Sequence, residues 1–211
     1  RGPVGARSRL ADEIDRTLGA TKFNGLSILA TNAGAQGFQV GANSGERVLM
    51  HGRVLDTACR PLAGALLDFW QTDADGLYSQ ATPHMPEFNL RCRMLTDAQG
   101  RYALQTVKPR YYSVPYDGPV GDLLRGGGRH ALRPSHFHVR VSAPGHRPLV
   151  TELFAEDDPY IDADAVFGVR STLVLHFERR DDAAAVAPYP VEAPFFEVNF
   201  DFRLDAEEHA T

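Results

Sequence analysis

From about residue 45 onward the chain is a succession of short runs, each alternating or apolar and each bounded by Gly, Pro, Asp or Asn. The eight runs are "RVLMHGRVLD", "AGALLDFWQT", "RCRMLTD", "RYALQTV", "HFHVRVSA", "RPLVTELFA", "STLVLHFER" and "FFEVNFDFRL". Such runs are too short for helices, and the period of two puts one side of a strand against a core. Turn chemistry agrees, because "DTACRPLAG", "TDADGLY" and "TDAQGRY" place Asp, Gly or Pro where the chain has to reverse. The expected fold is mainly β, a β-sandwich. Residues 8 to 32 differ: Leu10, Ile14 and Leu18 fall at helical spacing before a Gly-marked break and the short apolar "LSIL". The expected division is therefore a short N-terminal helical segment and linker over 1–44, then a sandwich domain over 45–211.

Composition narrows the partners. The 211 residues carry 43% hydrophobic content, enough for a real core, and a net charge of −5 with both signs interspersed. No basic stripe stands ready for nucleic acid or an anionic membrane, and no apolar run approaches the roughly 20 residues of a membrane span. Neither partner is expected. Cys59 and Cys92 are too few and too far apart for a disulfide framework or a thiolate zinc site, which fits a reducing cytoplasm.

Chemistry concentrates around "RPSHFHVRV". In a strand, residues two apart share a side, so His136, His138, Arg140 and Ser142 lie on one face while Phe137, Val139 and Val141 face the core. Two imidazoles about 7 Å apart along one face are able to converge on a metal. An H-x-H pair on an exposed strand is also a common polar surface, so further ligands are needed. Zinc is the default partner of two histidines, but neither H-E-x-x-H nor C-x-x-C occurs. A carboxylate from "EDDPYIDADA" is available, although that run reads more simply as a solvated turn. A ferrous site of two His and one carboxylate usually reads H-x-D/E, and here Phe137 stands between the histidines. Tyrosinate remains: a hard ferric ion lowers the phenol pKa far enough to deprotonate it. Tyr78 closes the turn "DADGLYSQ", and Tyr112 lies in the insert "PRYYSVPYDGPVGDLLRGGGRHALRPS", an irregular loop of a length that is usually functional. Each tyrosine taken alone also reads as a packing residue, and the turn pattern alone also suits a non-enzymatic, transthyretin-like binding module.

The chain resembles the intradiol ring-cleavage dioxygenases, the catechol and hydroxyquinol 1,2-dioxygenase group. The resemblance runs from about Gly45 to Arg179 through "GRVLDTACRPLAGALLDFWQTDADGLYSQ", "NLRCRMLTDAQGRYALQTVKP", "VPYDGPVGDLL", "GRHALRPSHFHVRVSAPGHRPLVTELF" and "DAVFGV", in the family's order. It implies a β-sandwich catalytic core with one mononuclear non-haem Fe(III) held by Tyr78, Tyr112, His136 and His138 and a hydroxide. Tyr112 and His138 would be axial, Tyr78 and His136 equatorial. Tyr111 is the adjacent competitor, but Tyr112 stands three residues before Pro115, as the family's pattern requires. The resemblance also implies that Tyr112 acts as a base toward the substrate and that Arg133 stabilises negative charge on it. The reaction implied is O2-dependent cleavage of an aromatic diol between its two hydroxylated carbons, giving a cis,cis-muconate-type product. "VPYDGPVGDLL" with "DADAVFGVR" looks most like the hydroxyquinol branch, with catechol or a chlorocatechol next. A homodimer is expected and an interfacial lipid is not. Three departures stand out: Glu152, near the substrate, where relatives carry Gln or His; Cys92 where relatives have Gly, which suggests an altered turn near the pocket; and a shortened segment over residues 32–45.

Overall fold

A computed structural model describes residues 44–83, 85–86, 88–186, 189 and 191–207, together with two short strands, β1 (Lys22–Phe23) and β2 (Leu26–Ser27). These two pair antiparallel, with Phe23 opposite Leu26. They fall in the stretch expected to be helical, and the intervening sequence is Asn-Gly, the pair that two-residue hairpin loops favour. The rest of the helical expectation, including Leu10, Ile14 and Leu18, lies outside the described residues, as does most of the shortened segment.

The eight runs became strands, two of them in pieces. In chain order follow β3 (Arg47–Asp56), β4 (Leu66–Gln71), β5 (Arg91–Leu95), β6 (Arg101–Val107), β7 (Tyr112–Ser113), the helix α1 (Gly118–Gly126), β8 (Leu132–Arg133), β9 (His136–Ser142), β10 (Leu149–Ala155), β11 (Val174–Leu175), β12 (Glu178–Arg180), β13 (Phe195–Asn199) and β14 (Phe202–Leu204). One sheet runs β11-β10-β9-β4-β5. The other has β3 at its centre, with β6 antiparallel on one side and β13 then β14 parallel along the other.

The two sheets face each other across one core. Leu67, Phe69, Cys92, Met94, Phe137, Val139, Val141 and Leu153 come from the first, and Val48, Met50, Val54, Tyr102, Leu104, Val198, Phe202 and Leu204 from the second. Their alternation along each strand is the period of two read from the sequence. A smaller cluster of Leu49, Val186, Val191 and Phe195 covers the outer face of the second sheet.

Three expectations need correction. Cys92 does not alter a turn: it sits in β5 opposite Phe69, inside the core, where burial and then the Asp68 carboxylate push its thiol pKa up to about 12. Its side chain fills space between sheets, and both thiols are free. The insert is not irregular throughout, since it holds α1 and the antiparallel β7/β8 pair, the helix entered from Asp117 with proline in its first turn. The run "EDDPYIDADA" is a turn with Glu156, Asp157 and Asp162 exposed, but two of its carboxylates are not solvated. Asp158 is buried and accepts from the Ser135 and Tyr160 amides, and Asp164 is buried beside Arg133. No helix among the described residues is long and apolar enough to cross a membrane.

Candidate metal centre

The outward face of β9 changes character along its length. Arg140 is exposed, whereas His136 is fully buried and His138 half-buried. Register supplies their neighbours: Trp70 of β4 and Glu152 of β10 flank His138, and Phe154 flanks His136. The indole of Trp70 lies flat on the His138 ring, centroids 4.8 Å apart and planes 4° from parallel. The Phe154 ring packs 5.4 Å from that of His136.

Tyr78 and Tyr112 reach the same point from two loops. The Asp73 carboxylate accepts from the Asp75 and Leu77 amides, closing the turn before Tyr78. Gly76 in that turn has φ +81°, and a methyl group there would stand 2.5 Å from the Tyr111 carbonyl oxygen. Only glycine lets the turn sit against the Tyr111–Tyr112 backbone. Gln71 donates to the Val107 carbonyl and Thr72 to the Arg110 carbonyl, tying the end of β4 to the chain entering β7. Across β7/β8, Tyr112 pairs with Arg133. The Tyr112 ring lies 5.1 Å from that of Tyr78 and 5.7 Å from that of His136, whereas Tyr111 packs on Tyr160.

The donor atoms converge. Tyr78 Oη is 3.0 Å from His138 Nε2 and 3.5 Å from His136 Nε2, and the two Nε2 atoms are 3.2 Å apart. His136 Nδ1 faces the Pro134 carbonyl at 2.6 Å. A carbonyl only accepts, so the proton is on Nδ1 and Nε2 presents its lone pair to the shared point. His138 turns Nδ1 toward Glu152 Oε1, 3.5 Å away, and Nε2 toward the same point. Burial, and the Arg133 charge, lower the His136 pKa against the pull of the Pro134 hydrogen bond. Burial, then His136, takes His138 to about 4. Burial, with Tyr112 beside it, raises the Tyr78 phenol well above its ordinary value. Neutral imidazoles and oxygen donors that ionise only under a strong Lewis acid fit a hard ferric ion better than a soft one.

Arg133 stands behind these donors between two carboxylates. It donates to Asp164 from Nε at 3.1 Å and Nη2 at 3.2 Å, and to Glu152 from Nη1 at 2.9 Å and Nη2 at 2.6 Å. Burial opposes the charge of all three, but these hydrogen bonds outweigh it, raising the pKa of Arg133 and lowering those of Glu152 and Asp164. All six residues singled out from the sequence thus lie together. Among the described residues, His136, His138 and Glu152 also form a group whose nitrogen and carboxylate atoms fall within 4.8 Å of one another. Sequence reasoning missed Trp70 and Asp164. The alternation of Asp68 and Trp70 with Leu67 and Phe69 was a usable sign that Trp70 shares the polar face.

A β-sandwich with two tyrosines and two histidines meeting on one face of a sheet presents the donor set of a metal-binding class of proteins. Comparison places it more closely. Residues 27–206 match the family described as Dioxygenase. The chain is 48% identical over 157 residues to a hydroxyquinol 1,2-dioxygenase of Rhizobium sp. (strain MTP-10005), covering 72% of this chain and 53% of that protein. It is 40% identical to a catechol 1,2-dioxygenase of Candida albicans, over 76% of this chain and 52% of that one. The crystal structure of a hydroxyquinol 1,2-dioxygenase from Pseudomonas putida DLL-E4 superposes with a TM-score of 0.74 at 40% identity, covering 94% of this chain and 71% of that one. The chain belongs to the intradiol ring-cleavage dioxygenase family. It spans about half the length of the curated relatives it matches.

Proposed function

We propose that the chain carries the ferric centre of an intradiol dioxygenase acting on hydroxyquinol (1,2,4-trihydroxybenzene), with catechol or a chlorocatechol as the next substrates, and yielding a cis,cis-muconate-type product. One mononuclear non-haem Fe(III) would be held by Tyr78, Tyr112, His136 and His138. The observation that carries this reading is the convergence of Tyr78 Oη and both Nε2 atoms, with Tyr112 alongside. Hydroxyquinol is placed first because a hydroxyquinol 1,2-dioxygenase is the relative with 48% identity. In the same reading residues 45–211 form the catalytic domain, residues 1–44 serve a homodimer without an interfacial lipid, and the protein works in the cytoplasm.

Bound iron(III) would supply the Lewis acidity that ionises the two phenols and the diol and opens the ring to O2. The chain's own residues do the rest. His136 and His138 stay neutral and hold their lone pairs inward, the first through Pro134. Tyr112 takes a diol proton at its Oη as the substrate enters. Arg133, hydrogen-bonded to Tyr112, keeps one fixed cation beside the charge that develops on the substrate.

The visible spectrum of the iron-loaded protein tests this. Phenolate-to-iron charge transfer should colour it red to purple, and catechol added without oxygen should shift the band. Tyr112→Phe should weaken the colour, and His138→Ala should lose iron. A protein that stays colourless with iron sinks the reading, and full iron content in His138→Ala refutes that ligand.

A further inference from the structure

We infer that Trp70 is a positioning residue for the candidate centre: its indole holds the His138 ring at the angle that aims Nε2 at the shared point. This rests on the iron-binding reading above and goes beyond it by naming what orients a ligand that no close hydrogen bond fixes.

The two histidines are held differently. His136 is clamped at Nδ1 by the Pro134 carbonyl at 2.6 Å, and its side chain is 1% exposed. A ligating histidine ordinarily has such a partner on its second nitrogen, which fixes the ring about its Cβ–Cγ bond. His138 lacks one of that quality. Its Nδ1 stands 3.5 Å from Glu152 Oε1, past normal hydrogen-bond length, and its side chain is 18% exposed. Glu152 is not free to close the gap, because its two oxygens accept from Arg133 at 2.9 and 2.6 Å.

What His138 has instead is a flat wall. The indole of Trp70, directly opposite on β4, lies 4° from parallel to the imidazole with centroids 4.8 Å apart. Rotating the imidazole about Cβ–Cγ would drive one edge into the indole and lift the other off it, so face contact fixes the same torsion that the Pro134 carbonyl fixes in His136. The indole is itself backed. Arg91, opposite Trp70 on β5, lies over the ring at 5.3 Å, and β5 and β9 flank β4, so the indole stands between guanidinium and imidazole. Arg91 in turn donates at 3.2 Å to Asp68, a buried carboxylate two residues before Trp70 that also accepts from Arg93 at 3.0 Å. Removing the group that orients a ligating histidine weakens metal binding by about ten- to a hundredfold, and here that group is a flat face, not a hydrogen-bond acceptor.

The test titrates the metal-free chain with ferric citrate while the visible band is followed, comparing Trp70→Leu, which fills much of the space without a flat face, with Trp70→Phe, which keeps a ring. Trp70→Leu should bind iron about tenfold more weakly than the wild type and shift the band, whereas Trp70→Phe should stay within about threefold. Wild-type affinity and band in Trp70→Leu overturn the inference. So does an equal loss in both variants, since bulk and not ring contact would then be what counts. If Trp70→Leu fails to fold, the wild type decides. In metal-free protein carrying 13C-labelled histidine, the His138 ring protons, assigned by their loss in His138→Ala, should resonate upfield of ordinary histidine positions because the indole face shields them. Unshifted protons overturn the inference with no Trp70 variant needed. A wild-type protein that takes up no iron overturns the iron reading and the inference with it, a failure that the proton shifts distinguish from loss of the stack.

Discussion

At the scale of single residues the site is organised by one buried cation. Arg133 keeps its charge out of water because Asp164 and Glu152 satisfy it from two sides, and Asp164 is the more deeply buried of the two. Asp164 also accepts from the Gly168 and Val166 amides, so it anchors the loop that closes over Arg133. Removing one partner of a buried pair leaves the other uncompensated. Asp164→Ala should therefore destabilise the protein by about 3 kcal/mol, with Asp164→Asn costing less, as measured by urea unfolding. A loss under about 1 kcal/mol would mean the pair is effectively hydrated. The histidines were legible in the sequence because an H-x-H pair on one strand face is a local pattern. Asp164 was not: it stands 31 residues from Arg133 in an acidic run whose composition suits a solvated turn, and only the fold brings it back. The ionisation states were likewise out of reach, since they follow from burial.

At the scale of elements, alternation and turn residues located the strands but not their breaks. "FFEVNFDFRL" reads as one run, yet it forms β13 and β14 with an interruption at Phe200 and Asp201. The cause lies in the neighbouring strand. Gly52 in β3 has no side chain, and the Phe200 carbonyl oxygen occupies the space where one would be, with a methyl group at residue 52 falling 1.9 Å from it. The Phe200 amide donates to the His51 carbonyl and the Asp201 carboxylate accepts from the Arg53 amide, so the break is pinned on both sides of Gly52. Sequence shows the glycine but not which backbone approaches it. Gly52→Ala forces that backbone away from the central strand and should cost about 3 kcal/mol or more, seen as a lowered urea midpoint. Because β3 is remote from the histidines, the ligand set should survive wherever the variant still folds. The helix α1 was hidden for a related reason: Pro119 and Gly121 read as breakers, but proline suits a first turn, and Gly121 meets the Tyr116 carbonyl where a methyl group would stand 2.0 Å away.

At the scale of the whole molecule, charge is placed so that acid acts on several regions together. Asp164 sits behind the candidate centre, Glu197 joins His51 of β3 to Arg180 of β12, and Asp97 closes the turn between β5 and β6 through Arg101 and the Gln99 and Arg101 amides. Partial burial opposes ionisation of each, yet the hydrogen bonds they accept leave all three pKa values below the ordinary carboxylate range. Asp56 is lowered as well, chiefly by the Arg60 amide. The sign follows directly. A carboxylate with a depressed folded pKa binds fewer protons than in the unfolded chain, so stability rises with pH through this range. The stabilisation is fully present above about pH 5, past the unfolded values near 4, and is lost as pH falls through the depressed folded values. Melting temperature measured on metal-free protein should already decline between pH 7 and 5, where His136 and His138 take up protons in the unfolded chain but not in the fold, and should fall further below about pH 4 as the carboxylates protonate. Glu197→Gln should start lower and fall less steeply, because one group no longer differs between the folded and unfolded states. A wild-type curve that stays flat from about pH 5 to 3 would show that these carboxylates titrate alike in both states and that their hydrogen bonds do not stabilise the fold.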